Sequence, residues 1–216
     1  MKKKNIIFYG NNKISKNCFL IAKKKFIKNF NLLFNPKKIP SKNFLGISIK
    51  YNKIIKYSDI KKFEIGIINF HFGELPMFRG LYSKHHTLRL KTTKKIKNFY
   101  ITSHFIDKKI DTGRIIKKYP IKLTHNETLN SLDLKSNKKF IQIFKKDLNY
   151  YFKAKFRSYK STSHSNYFDK NSYNNYLDLK KNGSQIEDHI KSLTTNFYKE
   201  KPLIKIGSLL YKVVKI

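Results

Sequence analysis

An amide, an imidazole and a carboxylate stand at Asn69, His71 and Asp111. A neutral histidine takes a proton near neutral pH. A carboxylate holds such an imidazole in one tautomer and stabilises its charged form. An asparagine N–H stabilises an oxyanion as it develops. Together the three suit acyl transfer to a nucleophile that must lose a proton, such as an amine. The same residue types also cap strands and fill polar core positions, so spacing alone leaves both readings open.

The elements that must position them are legible. Ile65 to His71 is an apolar, β-branched run that reads as a buried strand. Its alternation sets Asn69 and His71 on one face. A loop punctuated by Gly73, Pro76 and Gly80 follows, where backbone can approach a ligand. Tyr100 to Ile106 reads as a second strand, with Thr102 and His104 on one face, and it leads into Asp107 to Gly113. Open α/β sheets bind ligands where strands end, so the three groups are expected to meet there.

Three separate motifs, in order and spacing, resemble the folate-dependent formyltransferases: Asn69-x-His71, the loop Leu75 to Gly80, and Phe105 to Gly113. That family includes the methionyl-tRNA, phosphoribosylglycinamide and sugar N-formyltransferases. The resemblance implies an Asn-His-Asp triad at Asn69, His71 and Asp111, with 10-formyltetrahydrofolate as donor and no metal. Tyr51 to Ile55 matches a Tyr-x-x-Ile-Ile stretch of the sugar-modifying members, which places the pteridine against Lys53, Ile54 and Ile55. The loop that wraps the folate brings Asp107 and Ile110. Glu74, Arg79, Gly80 and Tyr82 are the implied acceptor contacts; Glu74 replaces the small or hydroxyl residue usual before Leu-Pro. Sugar and glycinamide members commonly carry His where His104 stands, and methionyl-tRNA members tend to carry Gln. The favoured acceptor is therefore a small-molecule amine, that of a nucleotide-linked amino sugar. A shortened methionyl-tRNA formyltransferase is the alternative, with tRNA as partner.

The 216 residues suffice for one core with a small appendage. The net charge of +35 points first to a polyanion, and a non-catalytic basic RNA-binding protein is a further alternative. Against it, only Arg79, Arg89, Arg114 and Arg157 among the 48 basic residues are arginines, and the lysines are scattered. A dedicated nucleic-acid binder favours the arginine fork. Abundant Lys, Asn and Ile suit an AT-rich coding bias. Cys18 is the only cysteine, so neither an intrachain disulfide nor a cysteine metal cluster is available. Lys2 to Tyr9 mimics a signal peptide, but its apolar run is short and Gly10 interrupts it. No stretch is long enough to span a membrane. A cytoplasmic protein is the expectation, with a homodimer as one option for its assembly.

In chain order, Asn5 to Tyr9 reads as a first strand. A helix capped by Ser15 runs to Phe26 with Phe19, Leu20 and Ile21 inward. Phe30 to Phe34 and Gly46 to Tyr51 read as strands, and Ser58 to Phe63 and Leu81 to Leu90 as helices, the latter with His85 and His86 on the surface. Ile115 to Pro120 and Ile121 to Leu123 read as edge strands. Thr124 and Glu127 have capping-box spacing before a helix to Leu148. No Gly-x-Gly-x-x-Gly follows the first strand, so a dinucleotide site is not supported. The expected architecture is an α/β, Rossmann-like formyltransferase domain over 1–148. Residues 149–216 then hold a linker to Asn175, a helix opened by Ser184 and Glu187, and a β-hairpin turning at Gly207-Ser208.

Overall fold

Strand β1 (Lys4–Tyr9) sets the pattern of the fold, because its apolar residues fall on both faces and all are buried: Ile6 and Phe8 on one side, Ile7 and Tyr9 on the other. The computed structural model describes residues 3–162, 165–195, 202–206 and 208–213. After β1 come α1 (Lys13–Phe26), β2 (Phe30–Phe34), β3 (Asn43–Ile49), α2 (Tyr57–Ile60), β4 (Phe63–His71), β5 (Arg79–Gly80) and α3 (Ser83–Arg89). Then follow β6 (Asn98–Phe105), β7 (Ile115–Lys122), α4 (Leu129–Phe152), β8 (Tyr167–Phe168), α5 (Gly183–Leu193), β9 (Leu203–Ile206) and β10 (Leu209–Lys212). The main sheet has the order β2-β1-β3-β4-β6-β7. Strands β2, β1, β3 and β4 are mutually parallel, and β6 runs antiparallel to β4. This is the α/β, Rossmann-like architecture expected from the sequence, and β7 lies at the edge as anticipated, though as one strand.

The chain divides into two compact units. The first comprises Met1–His71, Ile101–Tyr119 and Asn137–Ser163, and the second Phe72–Tyr100, Pro120–Ser136 and His164–Ile216. In the first, one sheet face is aromatic: Phe8 meets Phe19, Phe144 and Phe152, and Phe70 meets Phe140, Phe144 and Tyr151. The other face holds Ile7, Tyr9, Phe63 and Ile67, with Tyr51, Ile55, Ile60 and Ile106 packed against them. A polar chain runs through the same unit. The Tyr151 hydroxyl donates to Ser103 Oγ at 2.8 Å, and the Tyr119 hydroxyl, 2.7 Å from that of Tyr151, donates to Asp147 Oδ2 at 2.7 Å. Lys117 completes it at 2.6 Å from Asp147 Oδ2.

Several element ends differ from expectation for local reasons. Asn12, not Ser15, caps α1. Ser15 N–H donates to Asn12 Oδ1 at 3.0 Å and Asn12 N–H to Ser15 Oγ at 3.2 Å, a reciprocal pair that moves the start forward by most of a turn. The inward positions are then Ser15, Cys18 and Ala22, and Leu20 is 60% exposed. Glu127 does accept from the Thr124 backbone and hydroxyl, both at 3.3 Å, but α4 starts at Leu129, after a second reciprocal pair between Thr128 and Ser131, and runs past Leu148 to Phe152. Asn182 rather than Ser184 caps α5. The expected linker carries structure: Tyr159 bridges Ile115 and β8 pairs with β5. The β9–β10 hairpin is present, while Gly207 lies outside the described residues.

Several carboxylates are engaged by the abundant lysines, as in Lys4–Glu64, Lys84–Asp133, Lys91–Asp188, Lys117–Asp147 and Lys135–Glu127. Cys18 is buried without a disulfide partner, and burial pushes its thiol up to about 12, which leaves it protonated and unreactive.

His85 and His86 correct the sequence reading most clearly, since both are buried within the second unit rather than on the surface. His86 stacks on Phe168 with ring centroids 3.8 Å apart, and His85 lies against Tyr173 and His189. Neither ring nitrogen of His86 has a hydrogen-bond partner among the described residues. Burial, and next for His86 its neighbour His85, pushes both imidazoles down to about 3. His189 is also lowered, first by burial.

In the unfolded chain these histidines titrate near their ordinary value of 6.5. Between there and about 3 the unfolded state binds more protons, so stability is fully present above pH 6.5 and is lost as pH falls. Urea unfolding of the full chain should lose roughly 1 kcal/mol per buried histidine between about pH 7 and about pH 5.5. The variant His86→Phe should flatten that loss; an equal slope in both proteins would show that these rings do not set it.

Candidate active site

Strand β4 presents its two polar residues because of its register. It pairs in parallel with β3, with Ser48 opposite Asn69, and antiparallel with β6, with Asn69 opposite His104 and His71 opposite Thr102. Ile67 belongs to the Ile7–Tyr9 face, and period-two alternation carries Asn69 and His71 onto that same face. Ile68 and Phe70 point the other way, and Phe70 is held among Phe140, Phe144 and Tyr151. His71 is 8% exposed and His104 1%.

The carboxylate arrives by a different route from the one expected. Because β6 is antiparallel to β4, its end lies beside Ile68, and Ile106 N–H donates to the Ile67 carbonyl at 2.8 Å. The segment after β6 therefore folds back along β4, and its Asp111 reaches His71, the last residue of that strand. Its mouth is closed by Phe105 N–H on the Arg114 carbonyl at 2.9 Å. Inside it, Asp107 Oδ1 accepts from Lys109 N–H at 3.1 Å and from the Thr112 hydroxyl at 2.6 Å. Asp111 takes φ +54°, a left-handed conformation that Asp tolerates better than most residues. At Gly113 a Cβ would stand 1.8 Å from the Phe105 carbonyl oxygen, so only glycine fits.

The result is a four-residue cluster within the first unit. Asp111 Oδ2 lies 3.3 Å from His71 Nδ1, and Asp111 Oδ1 lies 3.4 Å from His104 Nε2. Asn69 Nδ2 lies 3.1 Å from His104 Nε2. His104 Nδ1 faces the Phe105 carbonyl oxygen at 2.8 Å. With Nδ1 of His71 turned to the carboxylate, its Nε2 carries the lone pair of the neutral ring, the position from which an imidazole can take a proton. Asn69 contributes an N–H donor beside it. An imidazole base oriented by a carboxylate, next to an amide donor, is the equipment of acyl transfer.

Residues 42–146 match the family model described as Formyl transferase, a span that contains all four of these residues. That span resembles the formyl transferase domain. Among curated relatives, the methionyl-tRNA formyltransferase of Elusimicrobium minutum is 40% identical over 70 residues, 32% of this chain and 20% of that protein. The bifunctional polymyxin resistance protein ArnA of Wigglesworthia glossinidia brevipalpis is 29% identical over 190 residues, 82% of this chain and 28% of that protein. Each alignment thus spans less than a third of the relative's own length. Among solved structures, the N-formyltransferase from Helicobacter canadensis, in complex with folinic acid and dTDP-3-aminofucose, superposes with a TM-score of 0.78. It shares 20% identity, over 96% of this chain and 85% of that one, a likeness that bears on the fold.

The other residues predicted for the site fall into two groups. Lys53, Ile54, Ile55, Asp107 and Ile110 belong to the first unit, with the cluster. Ile55 and Ile106 pack on one core cluster, and Lys108 Nζ lies 4.8 Å from the Tyr57 ring centroid, so the two segments are neighbours. Ile54 is 83% exposed and Ile110 45%. Lys53 and Asp107 are exposed as well. Glu74, Arg79, Gly80 and Tyr82 belong to the second unit. There the Arg79 guanidinium donates to Ser165 Oγ at 2.9 Å and lies 5.6 Å from the Tyr167 ring centroid. Gly80 takes φ +87°, where a Cβ would collide with the Phe168 carbonyl at 2.1 Å. Tyr82 takes φ +56° and packs on Tyr173. Among the described residues no group of three or more His, Cys, Asp or Glu is arranged to hold a metal ion, and no helix is long and apolar enough to cross a membrane.

Sequence reasoning marked His104 only as a subfamily feature. Its place against both Asn69 and Asp111 depends on the β4–β6 register, for which the matched alternation of the two strands was the available signal. Gly113→Ala should drive the Asp111 loop off the face. We expect a loss of roughly 1–3 kcal/mol in urea unfolding and faster amide exchange at Phe105. Unchanged stability and exchange would show that the loop closes some other way.

Proposed function

We propose that the chain transfers a formyl group from 10-formyltetrahydrofolate to the primary amine of a nucleotide-linked amino sugar. The observation that carries this reading is the contact of His71 and Asp111 on a face that also presents the Asn69 amide. The amine lone pair forms a C–N bond to the formyl carbon as the carbonyl π pair moves onto oxygen. Asn69 N–H donates to that oxyanion. The attacking nitrogen loses its proton to His71 Nε2, and Asp111 stabilises the imidazolium. When the oxyanion collapses, the bond from carbon to the folate nitrogen breaks, and that nitrogen leaves with the proton from His71. The products are a formamide and tetrahydrofolate.

Donor binding is supported by the apolar surface of the first unit. Ile54, Tyr57 and Ile110 are 83%, 44% and 45% exposed, on the two segments joined by the Tyr57–Lys108 contact. Large apolar side chains left open beside a reactive cluster suit a flat heteroaromatic ligand. For the acceptor, Arg79 supplies a planar cation that suits a phosphate. An amino-sugar acceptor is further supported by the likeness to a solved enzyme bound to dTDP-3-aminofucose. A second reading, formylation of methionyl-tRNA, has its own support in the 40% identity to a methionyl-tRNA formyltransferase over 70 residues.

The test follows tetrahydrofolate release with a panel of amino-sugar nucleotides beside methionine-charged initiator tRNA. Turnover with a sugar and none with tRNA is the expected result; turnover only with charged tRNA would transfer the acceptor to the second reading. Asn69→Ala should lower kcat about 10²- to 10³-fold. His71→Ala and Asp111→Ala should each abolish turnover, all three with unchanged unfolding midpoints. Normal rates in these variants would dismiss the triad.

A further inference from the structure

We infer that His104 is a positioning residue that sets the orientation of the Asn69 side-chain amide, so that the cluster works as two pairs rather than one chain of four. The inference rests on the formyl-transfer reading for its kinetic consequences, and on geometry alone for the pairing itself.

The pairing follows from one carbonyl. His104 Nδ1 lies 2.8 Å from the Phe105 backbone oxygen. A carbonyl only accepts, so Nδ1 carries the hydrogen. In the neutral ring Nε2 then carries a lone pair and needs a donor. Asn69 Nδ2, at 3.1 Å, is that donor. The rotamer of the Asn69 amide is thereby chosen by chemistry: its nitrogen faces β6, its oxygen faces away, and the second hydrogen on the nitrogen remains to meet the substrate oxyanion. Turned over, the amide would set its oxygen against the Nε2 lone pair and carry both N–H groups to the side away from β6.

The same tautomer settles what Asp111 does. Its Oδ1 lies 3.4 Å from His104 Nε2 and its Oδ2 lies 3.3 Å from His71 Nδ1. With a lone pair on Nε2, His104 offers the carboxylate no hydrogen, whereas His71 Nδ1 does. Asp111 therefore orients His71, and His104 orients Asn69. His104 is 1% exposed and held across the ladder from Asn69, so it has little room to turn away. Its neighbour Ser103 points to the opposite face, where the Tyr151 hydroxyl holds it at 2.8 Å. The role needs an acceptor at the Nε2 position and not an imidazole as such. A glutamine supplies an acceptor oxygen at similar reach and an N–H for the Phe105 carbonyl.

The experiment compares wild type, His104→Gln, His104→Leu and the double variant Asn69→Ala/His104→Leu. Two readouts are taken: steady-state kinetics with 10-formyltetrahydrofolate, and hydrogen exchange of the Asn69 side-chain NH2 by NMR. His104→Leu should lower kcat on the order of 10²-fold, the size of a lost oxyanion donor, with KM for both substrates little changed. His104→Gln should recover most of that loss. In the Asn69→Ala background His104→Leu should add nothing further, since coupled residues are non-additive. The Asn69 NH2 should exchange slowly in wild type and His104→Gln and quickly in His104→Leu. Additive losses in the double variant, or an Asn69 NH2 equally protected without the histidine, would overturn the inference. Should His104→Leu fail to fold, His104→Met removes the acceptor with an unbranched chain and is read the same way. If wild type turns over no amine, the reaction reading fails, and the NH2 exchange pattern still decides whether His104 holds Asn69.

Discussion

The antiparallel pairing of β6 with β4 is the constraint on which the site depends. A strand's side chains repeat every second residue, so one register places Asn69 opposite His104 and His71 opposite Thr102, and a slip by one residue would turn every one of them over. The slip is prevented by what lies on the reverse side. Ile68 and Phe70 are buried in the aromatic layer beneath, Phe70 against Phe140, Phe144 and Tyr151. Core packing on one face thus fixes polar geometry on the other.

The reverse face is not wholly apolar. Ser103, Tyr151, Tyr119, Asp147 and Lys117 form a connected set of hydrogen bonds between β6, β7 and α4. Side chains linked in this way help to specify one arrangement of the strands and helix that carry them. Burial and then the neighbouring Tyr151 push the Tyr119 hydroxyl well above its ordinary range, so it acts as a donor throughout any accessible pH. The strand that carries His104 is therefore held from behind through Ser103 and its tyrosine partner.

Much of the site was legible in the sequence, and the limits of that reading have physical causes. Asn69 and His71 could be placed on one face from alternation, and the first strand and the terminal hairpin were read from pattern and turn residues. The route of Asp111 was not legible. It depends on strand direction, which composition does not carry, and on a fold-back held by Asp107, Thr112 and Gly113. The helix starts were displaced because Ser15, Thr124 and Ser184 are good caps in isolation, while Asn12, Thr128 and Asn182 offered competing bonds one turn or less away. His85 and His86 were misplaced because a histidine pair between Lys84 and Arg89 on a short helix resembles a solvated face; only packing against Phe168, Tyr173 and His189 reveals the burial.

The imbalance between lysines and carboxylates has a consequence for how this sequence is free to drift. With 48 basic residues against 13 acidic ones, a lysine that loses its partner leaves the protein's charge problem smaller, whereas an acidic residue that is lost leaves a cation stranded beside others of its kind. Asp133, Asp147, Asp188 and Glu127 each tether a lysine, and Asp111 faces His71. Substitution is thus tolerated asymmetrically: the lysines form a wide neutral terrain, and the few acids are its fixed points. A lineage could exchange most of its surface cations without touching the chemistry, and the acidic positions are where the ancestry of this chain would stay readable longest.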